Sequence, residues 1–119
     1  MNHIQRFEAI CFDCAYDPLG LAHWWRGLIG GEVEPDGDSG GATLQAPGFP
    51  ELGFYPVPDT KTVKNRLHID LRADDFDAAV AAAVALGATP APDVYSGDHW
   101  QVLRDPQGNE FCILRPSRV

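Results

Sequence analysis

Laid over itself with a fixed shift of 57 positions, the chain repeats. Asp13 meets Asp70, Asp17 meets Asp74, Ala22 meets Ala79 and Gly30 meets Gly87. Pro35 meets Pro92, Asp36 meets Asp93, Ser39 meets Ser96, Gly40 meets Gly97 and Phe54 meets Phe111, all without a gap. Asp, Gly and Ala are common residues, so each identity alone is weak. Their order carries the weight, because they fall at helix starts, helix ends and turns in both halves. Such a period restricts the fold to two copies of one small unit. At 119 residues both copies fit within a single domain, 1–119, with modules at about 5–58 and 66–116.

Each half reads as strand, helix, then three strands. Residues 5–14 alternate, with Phe7, Ala9 and Cys11 on one face and Ile10, Phe12 and Cys14 on the other. Asp17-Pro18 supplies an N-cap and a proline at the first helical position. Leu21, Trp25 and Leu28 then recur at helical spacing over 18–29, until Gly30-Gly31 ends the helix. Short strands follow at Glu32 to Pro35, Ala42 to Ala46 and Leu52 to Val57, separated by Gly- and Asp-rich turns. Residues 58–65 are polar and read as a linker.

In the second half, Arg66 to Arg72 alternates Leu67, Ile69 and Leu71 against His68 and Asp70. Asp74 or Asp75 caps a helix over 75–86, with Phe76, Val80 and Val84 as its stripe and Gly87 as its stop. Strands follow at Thr89 to Ala91, Trp100 to Leu103 and Glu110 to Leu114, the last two joined by the turn Asp105-Pro106-Gln107-Gly108.

Composition narrows the class of partner. A net charge of −8 repels nucleic-acid phosphates and anionic lipid, so neither a nucleic acid nor a membrane is expected as partner. The longest apolar run, Ala78 to Ala88, is too short to span a bilayer and the N-terminus lacks a signal-peptide core, which makes the cytoplasm the expected location. Three cysteines do not make a disulfide scaffold. Cys11 and Cys14 have redox-pair spacing, but a strand puts positions i and i+3 on opposite faces.

Asp13-Cys14-Ala15-Tyr16-Asp17-Pro18 before a Trp-Trp helix, Lys64 to Leu71, and Asp105-Pro106-Gln107-Gly108-Asn109-Glu110-Phe111 carry a family resemblance. Together with the paired βαβββ pattern, they resemble the glyoxalase-like branch of the vicinal oxygen chelate superfamily, which includes glyoxalase I, bleomycin-resistance proteins and extradiol dioxygenases, over about 5–116. The resemblance implies an α+β fold in which tandem βαβββ modules form a curved half-barrel sheet around a cleft. It also implies a homodimer, a bacterial source and a small-molecule ligand. In metal-using members, the first and last strand of each module supply His, Glu or Gln to Zn, Ni, Fe or Mn. Carried over position by position, those four places fall on Cys11, Tyr55, His68 and Cys112, so three of the four depart from the usual types.

Two thiolates and one imidazole could hold zinc, with Tyr55 or water completing the set. Alternatively Cys11 and Cys112 are small buried hydrophobes, as free cysteines usually are. His68 reads as a metal ligand, proton shuttle or hydrogen-bond donor to an anion, or as a satisfied polar residue. Glu110 shares a strand face with Cys112; it reads as ligand or general base, or as a solvated rim carboxylate. His68 and Glu110 are thus the catalytic candidates. Asp13 and Asp70 share the faces of Cys11 and His68, with Arg66, Arg72 and Arg104 as expected ion-pair partners. Trp24 and Trp25 read as core. Tyr55 and Trp100, with Phe54 and His68, read as ligand contacts. The first function expected is small-molecule binding without a complete metal site. The alternatives are a metal-dependent lyase, isomerase or dioxygenase acting on vicinal oxygens, and a non-catalytic scaffold.

Overall fold

The computed structural model describes residues 3–94 and 99–117. The repeat partners Ser96 and Gly97 lie outside the described residues. The chain divides into two compact units, Met1–Asp59 and Thr60–Val119. The first holds β1 (Ile10–Cys14), α1 (Pro18–Ile29), β2 (Glu32–Asp36), β3 (Gly41–Gln45) and β4 (Leu52–Pro56). The second holds β5 (Ile69–Arg72), α2 (Phe76–Ala85), β6 (Thr89–Pro90), β7 (Trp100–Arg104) and β8 (Glu110–Leu114). Each unit is one mixed four-stranded sheet, in the orders β1-β4-β3-β2 and β5-β8-β7-β6. In both, the first strand runs parallel to the last and the other neighbours are antiparallel. The class is α+β, and the topology of the first unit is repeated strand for strand in the second.

The first unit packs its helix heavily. Asp17 accepts a hydrogen bond from the Gly20 amide at 3.0 Å and Pro18 opens the helix, so both expected start signals operate. Asp17 itself has φ of 43°, a left-handed conformation that a short side chain bonded locally tolerates. Leu21, Ala22 and Trp25 are buried. Trp25 meets Phe12 at 5.3 Å, and Phe12 stacks on Phe54 at 5.1 Å. Burial of these rings behind the sheet is the main cohesive term of the unit.

The second unit packs its helix lightly. Asp75, not Asp74, is the cap, accepting from the Ala78 amide at 3.1 Å. Only Ala83 of α2 is buried, whereas Phe76 and Val80 are half-buried and Val84 is 43% exposed. The expected stripe is therefore a shallow contact, because alanine-rich turns offer little area. The strands supply the larger side chains: Leu103, Phe111 and Ile113 are buried on one face, and on the other Ala91, Val102 and Cys112 are buried with Val94, Trp100 and Leu114 packed against them.

Most boundaries fall within one residue of the sequence expectation, and two strand starts and the linker differ by more. β1 starts at Ile10, whose amide donates to Glu51 O at 3.0 Å; earlier residues have no partner strand, since β4 starts at Leu52 after Pro50. Phe7 is consequently 71% exposed and lies outside the sheet. β5 starts at Ile69 and not Arg66. The Glu110 amide, which would continue that ladder, donates to Asn65 Oδ1 at 3.3 Å, and Leu67 is left exposed. Residues 58–65 are more than a polar linker, because Lys61 and Asn65 dock on β8. Among the described residues, no helix is long and apolar enough to cross a membrane.

Candidate functional site

The alternation of a strand gives each sheet a helix-side face and an open face. In the second unit, Asp70 pairs with Cys112 across β5 and β8, which sets those two side chains next to one another. His68 precedes β5 by one residue, and its Nε2 lies 3.1 Å from Asp70 Oδ1. One donor atom each from His68, Asp70 and Cys112 lies within 4.8 Å of the others, the one such group of three among the described residues. Cys112 is buried; His68 and Asp70 are exposed. The arginine partner expected for Asp70 is replaced by His68, because Arg104 is bound to Asp93 and Glu110.

In the first unit, Cys11 pairs with Gly53 and Asp13 with Tyr55 across β1 and β4. Two glycines make room for the Tyr55 ring. A Cβ on Gly53 would lie 2.7 Å from Tyr55 Cε2 and 2.8 Å from Cys11 Sγ; one on Gly41 would lie 2.5 Å from Tyr55 Cδ1. Cys11 is exposed, which corrects its reading as a buried hydrophobe; Cys112 and Cys14 do behave that way. Partial loss of hydration pushes the Tyr55 phenol above its usual range, and Cys11, Asp36, Glu51 and Glu8 push it further. The hydroxyl is therefore held as a neutral phenol, a weak metal donor and a good hydrogen-bonding group.

Glu110 is 4% exposed and saturated, which corrects its reading as a solvated rim carboxylate. Its carboxylate accepts from Lys61 Nζ at 3.1 Å, Asn65 N at 2.9 Å and Arg104 Nε at 3.2 Å. Burial pushes its pKa up, but the Asn65 amide, Lys61 and Arg104 outweigh that and hold it below the usual carboxylate range. A carboxylate so occupied has little basicity left for proton transfer. Phe54 is fully buried against Phe12, which takes it out of reach of a ligand. Trp100 is half-buried at the edge of the Val102 and Cys112 cluster. Neither Lys61 nor Asn65 was singled out as a partner of Glu110 by the sequence, since nothing local to a polar linker signals a contact across 45 to 49 positions.

The turn Asp105 to Asn109 is structural. Asp105 is 2% exposed and accepts from the Gln107 and Asn109 amides at 2.9 and 3.0 Å and from Asn109 Nδ2. Gly108 adopts φ of 87°, which glycine allows without strain.

Comparison with known proteins agrees with this architecture. FosX, a fosfomycin resistance protein from Mesorhizobium loti, matches with a TM-score of 0.71 at 15% identity, over 97% of this chain and 94% of that one. TnmS3, an antibiotic binding protein from Streptomyces sp. CB03234, matches with a TM-score of 0.63 at 19% identity, over 98% and 100%. These likenesses show the fold. CFP32 of Mycobacterium tuberculosis, whose name proposes a glyoxylase, is 39% identical over 74 residues, 59% of this chain. The aligned stretch is 28% of that relative, so the chain spans about a quarter of the length of the curated relatives it matches. The family model of the glyoxalase-like domain matches residues 9–114. With that match and the duplicated topology, the chain belongs to the glyoxalase-like domain family.

Proposed function

We propose that the chain captures a small organic molecule without a complete metal set. The observation that supports this best is the Tyr55 platform. At a position where metal-using relatives are expected to place a donor, this chain carries an aromatic face over two glycines, with a phenol held neutral. An aromatic ring on an open sheet face stacks on planar ligands, and its hydroxyl fixes their orientation. His68, oriented by Asp70, supplies a second hydrogen-bonding group, and Trp100 further apolar surface. TnmS3, an antibiotic binding protein of the same fold, supports capture as a use of this architecture.

A thermal-shift screen of planar aromatic compounds tests the reading. A saturable rise in melting temperature is expected, with the affinity reduced about tenfold in Tyr55→Ala, the size of one lost aromatic contact. A screen without any stabilising compound, or binding unchanged in Tyr55→Ala, would overturn it. The reading includes a cytoplasmic homodimer, for which light scattering should give twice the 13.0 kDa of one chain.

The His68, Asp70 and Cys112 cluster favours a second reading, a metal-dependent lyase, isomerase or dioxygenase. Nitrogen, oxygen and sulfur donors of this kind suit zinc, and these three residues would hold it. A bound divalent ion would supply Lewis-acid polarisation of a substrate oxygen. Elemental analysis after metal-supplemented growth separates the readings, since stoichiometric metal lost in Cys112→Ser would favour this one.

A further inference from the structure

Resting on the capture reading, we infer that the molecule held on the first sheet is a planar aromatic cation, its ring on Tyr55 and its charge met by Glu32, Glu51 and their acidic neighbours. Register decides which side chains share the open face. Ala42, Leu44, Leu52 and Phe54 form the buried rows on the helix side, so the residues between them line the other face. There Asp13 stands opposite Tyr55, Glu32 opposite Gln45, Glu34 opposite Thr43 and Asp36 opposite Gly41. Glu51 lies two residues before Gly53 and shares its face. Every charged residue on this face of the first sheet is thus acidic, and among the described residues none of these carboxylates makes an ion pair. The sign does not simply echo the net charge of −8. On the matching face of the second sheet, Arg104 stands opposite Glu110, and Arg72 follows Asp70 by two residues.

The negative field reaches the ring. Asp36, Glu51 and Glu8 each act to keep the Tyr55 phenol protonated, so the platform stays neutral while its surroundings are anionic. Beside it a depression of about 760 Å³ lies between Glu32, Gln45, Phe49 and Glu51. Gln45 Nε2 donates to Glu51 Oε1 at 2.7 Å, which orients that carboxylate and leaves its charge unneutralised. Phe49 is 41% exposed and gives the depression an aromatic wall. The face of an aromatic ring and a carboxylate attract the same kind of group, one that is flat or apolar and positively charged. An anionic ligand of the same shape would be repelled from every side of Tyr55.

Two fluorescent acridines of nearly one shape test the charge: proflavine, a cation at mildly alkaline pH, and acridine, neutral there. Both are titrated into the full chain at low ionic strength. Saturable binding of proflavine is expected, at least about tenfold tighter than acridine, the scale of two exposed ion pairs. Added salt should narrow that ratio. In Glu32→Gln/Glu51→Gln the ratio should fall at least about threefold. Equal affinities, or tighter acridine, would overturn the cation and leave capture by Tyr55 standing. Absence of proflavine binding would overturn it too, while the thermal-shift screen decides the capture reading separately. Proflavine bound to Tyr55→Ala as tightly as to the parent would also overturn it, because the carboxylates would then act without the ring. The wild-type ratio decides the question even if a variant does not fold.

Discussion

The two units share one topology but differ in how much their helices bury and in what fills the other face of the sheet. The first puts Trp25, Phe12 and Phe54 behind its sheet and leaves glycines under Tyr55 in front. The second buries Leu103, Phe111 and Ile113 on one face, with an alanine-rich helix that buries little, and adds the Ala91, Val102 and Cys112 cluster on the other. A duplicated motif therefore preserves its hydrogen-bonded ladder while the residues on either face drift separately. Donor chemistry drifts with them: the second unit gathers an imidazole, a carboxylate and a thiol, and the first offers a thiol and a neutral phenol.

The sharpest way to break this contrast is to truncate equivalent packing in each unit. Trp25→Ala should cost about 3–5 kcal/mol in chemical denaturation, as for other large buried aromatics. Equal sensitivity of the two helices would refute the asymmetry. Glu110→Ala should cost about 3 kcal/mol, because it leaves Lys61 and Arg104 facing a buried gap. The same carboxylate sets an acid limit. Its folded pKa lies below the ordinary 4.5, so its stabilisation is complete above about pH 4.5 and is lost as pH falls through the lower folded value. Melting temperatures of the wild type and Glu110→Gln should converge over that range. A difference that persists well into acid would show that the contribution is not ionic.

Gly53→Ala should cost about 1–3 kcal/mol through overpacking, as the new methyl meets Tyr55 and Cys11. Tyr55 fluorescence should report the displaced ring; an unchanged spectrum would mean that the platform does not rest on the glycine. Val84→Ala should have the smallest effect, under about 0.5 kcal/mol, since it changes an exposed position.

The ladder was legible because the repeat, caps and glycine stops are local signals. Asp17, Asp75, Gly30 and the β8 limits all read directly from the sequence. The strand starts at Ile10 and Ile69 did not, because pairing ends where the neighbouring strand ends, and that is a nonlocal fact. The position count that set Cys112 beside His68 worked because strand register fixes it. Phe54 failed as a ligand contact for a related reason: alternation identified two faces, but only the helix decided which was covered. Glu110 was hardest, since its cations come from a segment that reads as a connector.

The Lys61 and Asn65 contacts also decide where the second repeat can be cut. A fragment starting at Arg66 would keep every strand yet strip two of the three groups that hold Glu110, stranding a carboxylate in the interior with Arg104 alone. The self-sufficient piece is thus longer than its strands. Any excised or permuted version of this unit must carry the segment from Lys61 to Asn65 along.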